Sequence, residues 1–141
     1  MSDDRAAFRA AVRAWLDEHA PATGAPDDFS TLHVVSAPTI EEYREREHAA
    51  FARTCGWQRA LFDAELAGRS WAEEYGGVGA PAWEDDVVAE EQARYGVSTK
   101  MLAVALEMLP PVLFAHGTHE QRLAHLPKVL RGEESWCQLL S

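Results

Sequence analysis

Residues 98–116, STKMLAVALEMLPPVLFAH, constrain this chain more than any other stretch. Met101, Leu102, Val104, Ala105, Leu106, Met108, Leu109, Val112, Leu113 and Phe114 go round every side of a helix. A helix that is apolar all round belongs inside a protein, so burial on most sides is expected. Pro110-Pro111 must break or restart it, because proline lacks a donor and clashes with the preceding turn. Such a segment needs other helices to cover it. Its two methionines suit either core packing or an adaptable wall for a long, flexible apolar ligand.

The rest of the chain supplies those helices. Over residues 3–20, Phe8, Val12, Trp15 and Leu16 form one apolar stripe, with Arg5, Arg9, Arg13 and Asp17 on other faces, and Pro21 ends the segment. Residues 21–38 read as a long loop, pinned in places by Phe29, Leu32, Val34 and Val35. Thr39 and Glu42 make a capping-box pattern for a helix over 40–55, and Gly56 is expected to break or bend it before a further helix over 57–67. Residues 68–81 read as a loop whose glycines 76, 77 and 79 permit close backbone approach. A helix over 84–95 starts with acids that suit the positive end of its dipole. Glu90 and Glu91 are adjacent, hence on different faces, and are expected to be solvated or ion-paired rather than an acid–base pair.

Residues 117–141 open with a second capping box, Thr118 and Gln121, for a helix over 118–131. Leu123, Leu126 and Leu130 share one face, and Gly132 is the expected stop. Residues 136–140, WCQLL, then read as the start of a strand with no partner downstream. An unpaired strand is an unusual end for a domain, so the chain is expected to be the front of something larger or to fold against another chain.

The fold class expected is therefore all-α, bundle-like, over 1–132, with a short C-terminal strand stub over 133–141. Acidic residues outnumber basic ones by 23 to 13, a net charge of −10, which disfavours nucleic acid and anionic membranes as partners through bulk charge. Two cysteines, Cys55 and Cys137, make no disulfide framework and fit a reducing cytoplasm. The N-terminus is charged from its third residue and lacks a signal peptide's apolar core. No run approaches the roughly 18 apolar residues that suggest a membrane span.

Self-sufficient catalytic chemistry is not legible. His116, His119 and His125 lack the cysteine or carboxylate partners of a familiar metal spacing, so no metal site is expected. The glycines at 76, 77 and 79 lack the lysine and hydroxyl of a phosphate loop. No G-x-S-x-G elbow surrounds a serine, and no G-x-G-x-x-G is present after a strand. No catalytic residue is assigned.

Two spaced segments carry a resemblance. Residues 70–79, SWAEEYGGVG, are similar to a W-P-x-E-Y-G-G-x-G segment, with Ala72 where proline is usual. Residues 117–141 hold GT-x-EQ, then LP-x-x-L-x-GE, then W-x-Q-x-x-S. Together, in this order, they resemble the acyl-CoA dehydrogenase family at the junction of its N-terminal helical domain and middle β-domain. The resemblance covers the chain from Thr39 onward. It implies an FAD-dependent oxidoreductase of lipid metabolism acting on acyl-CoA thioesters. The family's catalytic glutamate and most of its FAD site would lie in later domains, so this chain alone is expected to be inactive and not to retain FAD.

By motif position, the resemblance places Gln138, Leu140 and Ser141 at the flavin ring, and Met101, Val104, Ala105 and Met108 along the acyl tail. It further implies an electron-transfer flavoprotein as partner of the complete enzyme, and a homo- or hetero-oligomer. A non-catalytic helical subunit, or an inactive paralogue paired with a complete flavoprotein, is the competing reading. Acyl chain length, a steroid-type ester, and oxidase or monooxygenase chemistry on the same fold stay open.

Overall fold

Thr39 begins the element around which the body is assembled. Its hydroxyl accepts from the Glu42 N–H at 3.2 Å, satisfying a helix-start donor, and α2 then runs over Ile40–Asp63. In the computed structural model, which describes residues 2–31 and 37–139, Gly56 neither breaks nor bends this helix into two. One helix replaces the two expected. A single glycine costs only about 1 kcal/mol in a helix, and burial of Trp57 and Leu61 on either side of Gln58 outweighs that.

Helix α1, Ser2–His19, lays Val12 and Leu16 against Trp57, Leu61, Leu66, Val88 and Val97, the principal core. Phe8, Trp15, Phe29 and Tyr95 pack around its edge. Helix α3, Trp83–Gln92, faces α1. The loop over 20–31 is tied down by a bridge between Ala22 and Tyr95 and by the Phe29 N–H donating to Gly96 O at 2.8 Å. Leu32, Val34 and Val35 lie outside the described residues.

A second core joins Tyr75, Leu113 and Leu126, with Trp71 and Leu109 against it. Tyr75 comes from a 3-10 turn, Glu73–Tyr75, in the segment read as a loop. Gly77 has a steric reason to be glycine: a Cβ there would come within 2.1 Å of Trp71 O and 2.6 Å of Gly68 O.

Residues 100–116 do not form one helix. A 3-10 turn, Lys100–Leu102, leads into a π turn, Val104–Met108, and then α4, Leu109–His116. Pro110 and Pro111 stand in the first turn of α4, next to the opening. Pro110 and Pro111 cannot donate to the carbonyls of Leu106 and Glu107, and their rings crowd the preceding turn. The backbone opens by one residue, and the Leu109 N–H reaches Val104 O instead of Ala105 O.

The expected burial of this stretch is only half met. Leu102, Ala105, Pro110 and Leu113 are buried, but Met108, Val112 and Phe114 are exposed. The described residues cover one side of the apolar segment and leave the other open.

Helix α5, His119–Leu130, has the full capping box: Thr118 Oγ1 accepts from the Gln121 N–H, and the Gln121 side chain accepts from the Thr118 N–H at 2.9 Å. Leu126, Val129 and Leu130 are buried, whereas Leu123 is exposed. Gly132, with φ of +69°, ends the helix as expected. Beyond it residues 133–139 have no regular structure, and no strand forms among the described residues. A strand is defined by its ladder, and no described segment pairs with this one.

Candidate functional site

The open side of residues 104–112 is where the chemically suggestive residues collect. Val104, Met108, Leu109 and Val112 meet Trp136, Cys137 and Gln138 around a trough of about 140 Å³. Of the four residues expected along an acyl tail, Val104 and Met108 line it. Ala105 is only 1% exposed and belongs to the core, and Met101 is half-buried and away from the trough. Of the three expected at a flavin, Gln138 lies on the trough, and Leu140 and Ser141 lie outside the described residues.

The π turn explains which residues face which way. Its extra residue rotates Leu106 and Glu107 toward a larger cavity of about 390 Å³ bounded by α2, α3 and residues 66–71. The walls of that cavity are the core residues Leu61, Leu66, Val88 and Leu130. Most of its polar groups are engaged. Gln58 donates to Leu130 O at 2.7 Å, Gln92 accepts from the Trp57 indole at 2.9 Å, and Asp85 accepts from the Arg69 and Ser70 N–H groups. It is a gap between two cores. The trough is another place, among the described residues, where apolar side chains are left uncovered.

The trough is too small to be a complete ligand site. Small-molecule sites run to about 300–1,000 Å³ and enclose most of their ligand. Here Leu139 is 92% exposed and Gln138 is exposed beside it. The described residues thus make no cradle that would enclose a ring-sized cofactor. Among them no group of three or more His, Cys, Asp or Glu side chains could hold a metal ion.

Charge is concentrated elsewhere, where α1 meets α3. Arg9 donates to Glu91 Oε1 at 2.6 Å, and Arg13 grips the same carboxylate through Nε and Nη2 at 3.0 and 3.1 Å. Glu91 is wholly buried. The Arg13 hydrogen bonds hold its pKa down at about 2, against the desolvation that would raise it, with Arg9 adding to the effect. Glu90 is likewise lowered, first by its bond to Arg9. Both carboxylates are ion-paired, one of the two outcomes expected for them. A carboxylate so held is a poor proton acceptor near neutral pH, and this cluster is a structural fastening.

Sequence reasoning missed one group near the trough. His125 Nδ1 donates to Glu134 Oε1 at 2.6 Å, and the Trp136 indole N–H donates to the same oxygen at 2.9 Å. The two rings meet edge to face at 5.2 Å. The spacing from residue 125 to residue 134 spans a helix end, so no periodicity announces it. Both cysteines are free, Cys137 exposed and Cys55 half-buried with its thiol pKa raised by burial. No helix of the described residues is long and apolar enough to cross a membrane.

This helical body, with one uncovered apolar flank at its C-terminal side, is that of a known domain. The family description "Acyl-CoA dehydrogenase, N-terminal domain" matches residues 2–133, and the chain belongs to that family. It is similar to the acyl-CoA dehydrogenase IpdE1 of Mycolicibacterium smegmatis, with 36% identity over 131 residues, and to IpdE1 of Mycobacterium tuberculosis, with 34%. Each match covers 93% of this chain and 31% of the relative. A shorter match, 37% over 84 residues, joins 60% of this chain to 12% of the acyl-CoA dehydrogenase FadE34 of M. tuberculosis. The chain therefore spans less than a third of the length of these relatives.

Proposed function

We propose that this chain is the N-terminal part of an FAD-dependent acyl-CoA dehydrogenase, supplying one wall of the acyl pocket and one edge of the flavin site. The observation that carries the proposal is convergence. Val104 and Met108, assigned to the acyl tail, and Gln138, assigned to the flavin, share one trough although about thirty residues separate them.

The division of labour follows from the side chains present. Val104, Met108, Leu109 and Val112 offer apolar contact without polar competition, which suits the tail of a thioester. The exposed Gln138 side chain has both donor and acceptor capacity for the polar rim of a ring. Bound FAD would supply the hydride acceptor for α,β-dehydrogenation. Among the described residues no carboxylate lines the trough, and the proposal assigns the base that removes the α-proton to another part of the complete enzyme. An electron-transfer flavoprotein would reoxidise the complete enzyme.

The test uses the complete flavoprotein. Met108→Trp fills the trough and is expected to shorten the accepted acyl chain while FAD stays bound. Ser141→Ala is expected to weaken FAD retention by about 1 kcal/mol, the value of one hydrogen bond, with the chain-length profile intact. An unchanged profile in a folded Met108→Trp protein would make the methionine ordinary packing and remove the acyl wall.

A further inference from the structure

The trough has two sides, and only one is set by helix. Val104, Met108 and Val112 stand on hydrogen-bonded turns. Trp136, Cys137 and Gln138 stand on a segment without regular structure. Something other than a backbone ladder must fix where that segment lies.

The helix end supplies the first constraint. The Gly132 N–H donates to Val129 O and the Glu133 N–H to Lys128 O, each at 2.9 Å, which turns the chain back along α5. The second constraint is Glu134. Its Oε1 takes a hydrogen bond from His125 on α5 and another from the Trp136 indole. A carboxylate oxygen accepts, so His125 Nδ1–H is the donor of that bond. The indole is thereby held at its N–H by Glu134 and against the edge-on His125 ring, while 37% of Trp136 stays exposed.

We infer that Glu134 is a positioning residue that fixes the Trp136 ring, and through it the width of the trough shared with Val104 and Met108. This inference rests on the acyl-wall reading and adds a specificity-determining contact to it. A tethered indole is rigid, whereas methionine adapts its shape. The trough then has one fixed wall and one compliant wall, and the fixed wall decides how bulky an acyl group enters.

The experiment compares Glu134→Ala, Glu134→Gln and Trp136→Phe in the complete flavoprotein. One readout is hydrogen exchange of the Trp136 indole N–H, assigned by its loss in Trp136→Phe. The other is the ratio of kcat/KM for octanoyl-CoA to that for butanoyl-CoA. Glu134→Ala is expected to speed indole exchange and to shift the ratio, each by about fivefold or more, with the change in ratio carried by KM. Glu134→Gln keeps an acceptor oxygen and is expected to keep both values near those of the parent. Indole exchange unchanged in Glu134→Ala overturns the tether. Faster exchange with an unchanged ratio overturns the role in specificity. If the parent protein accepts neither of these two thioesters, the role in straight-chain specificity is overturned, while the exchange measurement still decides the tether.

Discussion

The Gln58 side-chain amide donates to the carbonyl of Leu130 at 2.7 Å, wholly inside the protein, across 72 residues of sequence. The carbonyl belongs to the last turn of α5, where no helical donor remains for it. This bond joins the C-terminal third of α2 to the point where the chain leaves for the trough. Gln58→Leu keeps the volume and leaves the carbonyl without its partner. It is expected to cost about 1–3 kcal/mol, read from the urea midpoint of the purified protein. A midpoint equal to the parent's would mean that water or a relaxed helix end replaces the bond.

Glu91 makes stability depend on acid. Its folded pKa is about 2, below the ordinary carboxylate value of 4.5, so the fold favours the ionised form. The contribution is complete above about pH 4.5 and is lost as pH falls from there through about 2. Glu91→Gln keeps one acceptor oxygen but removes the negative charge and the second oxygen that Arg9 and Arg13 engage. The gap in urea midpoint between parent and Glu91→Gln is expected to be largest near neutrality and to shrink steadily below about pH 4.5. A gap that does not change with pH would show that the guanidinium contacts add nothing beyond packing.

Two glycines are expected to respond in opposite directions. Gly56 lies within α2, and a Cβ there meets nothing within 4 Å, so Gly56→Ala should stabilise by about 1 kcal/mol. Gly77→Ala drives a Cβ into the Trp71 and Gly68 carbonyls and should unfold the Trp71–Tyr75 corner or the whole protein. Thermal melts of the two variants decide both. Destabilisation by Gly56→Ala would reveal that the helix needs a bend at that residue.

The sequence was readable wherever the cause was local. The caps at Thr39 and Thr118, the stop at Gly132 and the helical character of the domain follow from short patterns, and each is present. Gly56 misled because a breaker residue was weighed without the burial of Trp57 and Leu61 around it. The pairing of α1 with α3 was half visible. Arg5, Arg9 and Arg13 recur every four residues and so make a stripe of their own, but nothing local tells that Glu90 and Glu91 face it.

What the sequence says of the candidate site comes only through motif position. Val104, Met108 and Gln138 do come together. Ala105 lies in the core and does not border the trough: an all-round apolar helix offers no clue to which side stays open, and the π turn shifts the phase of the residues after it. The Glu134 tether depends on the chain reversing at Gly132, a three-dimensional event that no period encodes.

The π turn at Val104–Met108 has a consequence for how this chain can change length. A π turn is an α turn carrying one surplus residue. Removing one residue from it restores the ordinary winding without rotating α4, α5 or anything beyond them. A single deletion, normally ruinous inside a buried helix, is therefore absorbable at this point. It would re-aim only the side chains between Ala103 and Leu109, the ones that border the trough, so a one-residue gap here is a route to a differently shaped wall on an unaltered scaffold.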